Sequence, residues 1–154
     1  MELTDLLDPD SVICNLRAAS KKLVLQDLAR RAAEVTGLSE RAVFDTLLER
    51  EKLGSTAVGH GIAIPHGKLA GLDRLYGLVA KLEHPIEFDA ADDQPVDLVF
   101  LLLAPEASGA DHLKALAKVS RLLRDEAVCE HLRQAGDPTI MYQMVVAPQP
   151  TLQS

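Results

Sequence analysis

Between Gly54 and Gly67 the chain places four glycines and two histidines around a short β-branched stretch, Ile62-Ala63-Ile64. The most reactive-looking position is His66, set between Pro65 and Gly67. Proline has no N–H to give a strand ladder, so Pro65 is expected to end a strand running from Gly61 to Ile64, and Gly67 allows a sharp turn after it. His66 is then expected at a strand end, exposed and held by its backbone, which is where ligands bind in sheets packed with helices. A neutral imidazole is a good nucleophile near pH 7. Pro-His-Gly alone also describes an ordinary surface turn, and what argues for chemistry is the company. His112 opens a helix directly after the most apolar strand, and Arg50 ends a helix inside the cluster Glu49-Arg50-Glu51-Lys52. An isolated Arg in such a cluster would read as a solvated salt-bridging face.

The elements that would position these side chains alternate along the chain. Ser20 is an expected N-cap for a helix from about Lys21 to Thr36, with Leu25, Leu28, Ala29, Ala32 and Thr36 on one face and Gly37 at the C′ position. Ser39 opens a second helix that ends before Gly54, with Val43, Phe44, Leu47 and Leu48 inside and Glu40 and Glu49 to Lys52 outside. Extended segments are expected at Gly61 to Ile64, Leu75 to Glu83, Ile86 to Phe88 and Val96 to Ala104, with a turn from Asp89 to Pro95. The last segment is apolar on both faces after Asp97, as a central strand covered on both sides would be. Beyond Pro105 the period returns to 3.6. Leu113, Leu116, Ala117, Ser120 and Leu123 would line one side of a helix starting near Ala110. Asp125 to Gln134 forms another, and Asp137 caps a last one with Pro138 at its first position. The fold class is α/β: a mixed β-sheet flanked by helices on both faces, a three-layer sandwich, with the strand order unreadable.

Size and charge narrow the function. At 154 residues the chain suits a single domain, expected over 1–147, with a flexible Pro-containing tail over 148–154. Sixteen Lys and Arg against 23 Asp and Glu give a net charge of −7, which disfavours a nucleic-acid or anionic-membrane surface. The longest apolar run, Leu98 to Ala104, is seven residues, far below the roughly 18 that cross a bilayer. The acidic N-terminus lacks a signal-peptide core, and Cys14 and Cys129 form no paired motif. A cytoplasmic, reduced protein is the economical expectation. There is no Walker, GxGxxG or GxSxG motif. A metal held by His60, His66 and His112 would need His60 and His66 on one face, which Gly61 and Pro65 oppose, so none is expected. His84 and His131 read as surface histidines.

The stretch from Glu51 through Val58-Gly59 to Ile62-Ala63-Ile64-Pro65-His66-Gly67 resembles the phosphorylation-site signature of the mannitol/fructose-type enzyme IIA domains of the bacterial phosphotransferase system. The resemblance extends over about residues 5 to 147, through Ile86-Glu87-Phe88-Asp89, Gln94 to Phe100 and Asp111-His112-Leu113, and is greatest to the stand-alone nitrogen-regulatory subgroup. It implies that His66 accepts a phosphoryl group from a phosphohistidine on an HPr-like carrier, on the ring nitrogen remote from the backbone. It also implies that Arg50 and His112 lie beside His66 and that the output is regulatory, with the target, whether kinase, transporter or other regulator, left open; no cofactor is expected, since the transfer needs neither magnesium nor nucleotide and no motif for either is present. His60 departs from the pattern, standing where similar proteins often have a small polar residue, and is expected to face solvent.

Such a transfer is physically reasonable. Its loose transition state spreads charge over three equatorial oxygens, so catalysis is mostly positioning and charge stabilisation. A guanidinium at Arg50 would supply a planar cationic fork, and His112 a further hydrogen bond. Two other readings remain at this point: a sugar-uptake component that passes the phosphoryl group to an enzyme IIB, and a binding module in which the histidine loop contacts a partner without covalent change.

Overall fold

The computed structural model describes residues 2–147. The expected tail, 148–154, lies outside the described residues. After a 3-10 turn (Leu3–Asp5) come β1 (Val12–Leu16), α1 (Lys21–Thr36), α2 (Glu40–Lys52), β2 (Ala57–Gly59), β3 (Ile62–Ala63), β4 (His66–Leu69), β5 (Tyr76–Ile86), β6 (Val96–Pro105), α3 (Ala110–Leu123), α4 (Glu126–Gln134) and α5 (Pro138–Val146). The helix ends follow from their caps. Ser20 accepts from the Leu23 N–H, Ser39 from Ala42 and Asp137 from Ile140, and Gly37 takes the left-handed conformation that closes α1.

The apolar run of the sequence becomes β6, the strand on which the sheet is built. The order is β1-β5-β6-β3-β2, with β4 also paired to β6. β5 runs antiparallel to β6, whereas β3 and β4 run parallel to it, as β1 does to β5, so the sheet is mixed. Alternation along β6 separates two cores. Leu98, Phe100 and Leu102 face one side with α3, α4 and α5. Val99, Leu101 and Leu103 face the other with α1 and α2. Helices thus cover both faces, as the continuous apolar run requires.

Four local expectations are corrected. His66 does not end a strand before a sharp turn; it begins β4. Ile62 lies opposite Leu98 and His66 opposite Leu102 in the same register, so β3 and β4 are two pieces of one line along β6, interrupted where Pro65 has no N–H to give. Gly67 is therefore not a turn residue. A Cβ there would stand 2.6 Å from Cγ2 of Thr46, and it is the absence of one that lets α2 lie close against β4. Next, Leu75 to Phe88 is not two strands. β5 continues through His84 and Pro85 to Ile86, its register with β6 shifting between Lys81 and Ile86, and Phe88 lies outside it.

On α3, the buried residues are His112, Ala115, Val119, Leu122 and Leu123, whereas Leu113 is 68% exposed and Leu116 only partly buried. The helix is rolled by about one position, roughly 100°, from the face that leucine spacing suggests, which turns His112 inward. Lastly, Glu51 is buried rather than outside, because Val43, Leu47 and Glu51 repeat at four-residue spacing on the inner stripe of α2. The short strands β1 and β2 are additions that the sequence reading did not contain.

Gly67→Ala is expected to lower the unfolding free energy by about 1–3 kcal/mol. Thr46→Ser, which removes the methyl that the new Cβ strikes, is expected to recover most of that loss in the double variant. Urea unfolding of the four proteins checks it, and simply additive losses would mean that Thr46 is not the obstacle.

Candidate functional site

Three elements meet at His66. β4 holds its backbone, α2 brings Arg50 from one layer, and α3 brings His112 from the other. Register makes this possible. His66 lies opposite Leu102, which faces the α3 side, and Gly67 lies opposite Leu103, which faces α2. Within the sheet β4 is paired with β6 alone, so Arg50 can reach His66 at the unpaired side of that strand.

The half-buried imidazole is fixed at both nitrogens. Nδ1 stands 2.8 Å from the carbonyl oxygen of Ile64, and Arg50 Nε stands 3.2 Å from Nε2. A guanidinium only donates and a carbonyl only accepts, so both contacts are hydrogen bonds only when Nδ1 carries the proton and Nε2 a lone pair. Arg50 is held in turn, its Nη1 donating to the Gly54 carbonyl at 2.8 Å. The ring of His112 lies 5.7 Å from that of His66, centroid to centroid, tilted by 59°. Its Nε2 is buried and has no hydrogen-bond partner. The three residues predicted from sequence are thus brought together: a ring nitrogen whose lone pair faces the guanidinium, the permanent cation that bears it, and a ring nitrogen without a hydrogen-bond partner.

Burial pushes the His66 pKa below its ordinary value near 6.5. The Ile64 carbonyl opposes this, the Arg50 charge adds to it, and the more distant Glu51 charge opposes it. Burial likewise lowers His112, helped by His66 and Lys68. Both rings are therefore neutral near pH 7, the form in which His66 Nε2 is nucleophilic. Lys68 was not singled out from sequence. It lies two residues beyond His66 on β4, hence on the same side of the strand, and strand alternation was the signal for it. Glu51, expected on the outer face of the second helix and at the start of the signature, is buried, and its helical spacing from Val43 and Leu47 is the clue.

His60 takes no part in this cluster. It occupies the β2–β3 turn with φ +59°, its N–H bonded to the Asp92 carboxylate at 3.0 Å and its carbonyl to Arg133 at 2.8 Å. The neighbouring Gly61 carbonyl pairs with Asp97 and Leu98, and His66 lies opposite Leu102. The two histidines are thus separated by about 16 Å along β6. His60 is exposed, as expected. Among the described residues no group of three or more His, Cys, Asp or Glu side chains is arranged to hold a metal.

Residues 5–147 match the family described as phosphoenolpyruvate-dependent sugar phosphotransferase system, EIIA 2. The chain belongs to this enzyme IIA family. It is 56% identical over 151 residues to a nitrogen regulatory protein of Bradyrhizobium diazoefficiens, covering 98% of this chain and 99% of that one. The crystal structure of nitrogen regulatory protein IIA-Ntr from Neisseria meningitidis superposes with a TM-score of 0.88 at 31% identity, covering 93% of this chain and 98% of that one. The mannitol IIA of Escherichia coli, at 20% identity and a TM-score of 0.77 over 90% of this chain and 98% of that one, shares the fold. Family and relatives together make this enzyme IIA a regulatory phosphoryl-relay protein of the phosphotransferase system. Among the described residues no helix is long and apolar enough to cross a membrane.

The lowered imidazole pKa values have a thermodynamic consequence. The unfolded chain takes up protons at its ordinary histidine pKa while folded His66 and His112 still resist them. The stability they contribute is therefore present above about pH 6.5 and is lost as the pH falls through their lowered folded values. Denaturant unfolding between about pH 7.5 and pH 5 is expected to show that decline, with a shallower slope when both are replaced by Gln. An equal slope in the double variant would show that neither ring resists protonation.

Proposed function

We propose that Nε2 of His66 accepts a phosphoryl group from a phosphohistidine on an HPr-like carrier, and that the phosphorylation state of this enzyme IIA is read by protein targets in nitrogen-linked regulation. The observation that carries the proposal is the pinned tautomer, Nδ1–H on the Ile64 carbonyl with Nε2 turned to Arg50. The Arg50 N–H passes from Nε2 to a phosphoryl oxygen, the lone pair so released attacks phosphorus, and the new P–N bond forms as the donor's P–N bond breaks. The donor imidazole leaves with the electron pair of that bond. His66 keeps its Nδ1 proton throughout, so the exchange balances without a base or a water.

Each neighbour then has a task. The Arg50 fork takes up phosphoryl oxygens as charge gathers on them. The unpartnered Nε2 of His112 donates to another when it carries the proton. Lys68 adds positive charge on the same side of β4. Lowered pKa values serve the acceptor directly, because a protonated His66 would have no lone pair to offer. Leu53, three residues after Arg50, is 85% exposed and Leu113, next to His112, is 68% exposed, and both offer apolar contact to a docking carrier. With a net charge of −7, the fitting carrier presents a basic face. Its setting is the cytoplasm, where such carriers meet their partners.

Incubation with phosphorylated carrier is expected to raise the intact mass by one phosphoryl group that acid removes. His66→Ala should take up none while remaining folded, and undiminished uptake would move the site elsewhere. Arg50→Lys keeps the charge but loses the fork. It is expected to slow transfer by about 100-fold, measured as label incorporated over time, with little change in stability; an unaltered rate would leave Arg50 a surface residue.

A further inference from the structure

Apart from His112, the buried polar side chains among the described residues are Ser11, Glu51 and Thr56, and two of these stand in line behind His66. Glu51 Oε1 accepts from the Thr56 N–H at 3.1 Å and from Lys21 Nζ at 2.9 Å, while the Thr56 hydroxyl donates to Glu51 Oε2. The Thr56 carbonyl accepts from the Ile64 N–H at 3.0 Å, and the Ile64 carbonyl accepts the Nδ1 proton of His66 at 2.8 Å. A continuous set of contacts therefore runs from a buried ion pair to the reacting ring. Glu51 reaches the other side of the site as well. It directly follows Arg50 in the last turn of α2, and its own carbonyl accepts from the Gly54 N–H at 3.1 Å, beside the Gly54 carbonyl that holds Arg50 Nη1.

We propose that the Glu51–Lys21 pair is a positioning device for the transfer site: through Thr56 and Ile64 it fixes the His66 ring, and through the end of α2 it fixes Arg50. The inference rests on the reading of His66 as acceptor and adds residues that touch neither phosphorus nor carrier. The links are mechanical. Ile64 receives Thr56 through its N–H and holds His66 through its carbonyl, so displacing Thr56 displaces the acceptor of the Nδ1 proton.

Stability alone does not account for the pair. A buried ion pair is at best weakly stabilising compared with apolar residues of similar volume. Lys21 stands at the first position of α1, where the helix dipole disfavours a cation. There it is also drawn to Asp89 at 3.3 Å and to the face of Phe88 at 4.8 Å. Two local rules are broken so that one carboxylate can be held in one place, which is the pattern expected near a functional site. The placement also explains why a carboxylate belongs on the inner stripe of α2 after Val43 and Leu47, where another apolar residue would otherwise continue the core.

The decisive variants are Glu51→Gln, which keeps shape and loses the charge, Thr56→Val, which loses only the hydroxyl, and Thr56→Ser, which keeps it. Nitrogen-15 spectra of the His66 ring are recorded without any carrier, beside the rate of label uptake from phosphorylated carrier. The native ring is expected to show the Nδ1–H tautomer alone. Glu51→Gln and Thr56→Val are expected to show a mixture of tautomers and at least tenfold slower uptake per folded molecule, and Thr56→Ser to behave as native. The Glu51→Gln/Thr56→Val double variant should lose little more than either single one. Native spectra and rates in both single variants would overturn the inference, as would losses traceable wholly to a smaller folded fraction. Should Glu51→Gln fail to fold, the contrast between Thr56→Val and Thr56→Ser decides. If the native protein takes up no label, the acceptor reading fails, and the tautomer spectra still decide whether Glu51 positions the ring.

Discussion

One hydrogen bond underlies the proposed chemistry: Nδ1–H of His66 on the carbonyl of Ile64. An imidazole free to rotate would divide its proton between two nitrogens and present its lone pair in many directions. Bonding to a main-chain carbonyl two residues back removes both freedoms, because the acceptor is part of the same interrupted strand. The second nitrogen then has one state and one direction, toward Arg50. The cost of holding a polar ring half out of water is met by bonds at both nitrogens, and the lowered pKa is the electrostatic trace of that burial.

The sheet explains why this bond can exist. β3 and β4 follow β6 in one register, and the break between them at Pro65 leaves the Ile64 carbonyl free to turn to His66 while Pro65 itself accepts from Leu102 at 2.9 Å. A proline in the middle of a paired strand would cost a ladder bond; here the lost donor marks the place where the ring is fastened. The same strand has a helix close on one side because Gly67 has no Cβ. It receives His112 from the other because α3 is rolled inward. Cation and second imidazole thus come from opposite layers to one side chain without either helix leaving its core.

Much of this was legible in the sequence, for identifiable reasons. α1 was readable to the residue because its caps are local chemistry, Ser20 and Gly37, and β6 because nothing but a doubly covered strand is apolar for so long. That Arg50 and His112 lie beside His66 was legible through the resemblance. What was misread depended on partners distant in sequence. Gly67 looked like a turn residue because the reason for a glycine there lies in Thr46, across the helix–strand contact. The face of α3 was assigned by counting leucines, and a polar His112 turned inward defeats such counting. Glu51 was placed in solvent by its charge, although its spacing from Leu47 pointed inside; the ion that makes burial tolerable, Lys21, stands thirty residues earlier.

These constraints limit how such a protein can signal. If His66 is the acceptor we propose, a ring fastened to the main chain and wedged between Arg50 and His112 has little room to move on gaining a phosphoryl group, and the strand beneath it is fixed to β6 on one side and pressed by α2 from a face. A large rearrangement is not what this architecture favours. The difference between the two states is then chiefly one of charge. On the proposed transfer a dianionic group would appear beside Arg50 and His112, near the exposed Leu113 that follows His112 in sequence and Leu53 three residues after Arg50. A partner that packs on these leucines meets a cationic centre in one state and a neutralised or anionic one in the other. Because buried charges are worth far more when water is excluded, the same apolar contact that gives affinity also amplifies that discrimination.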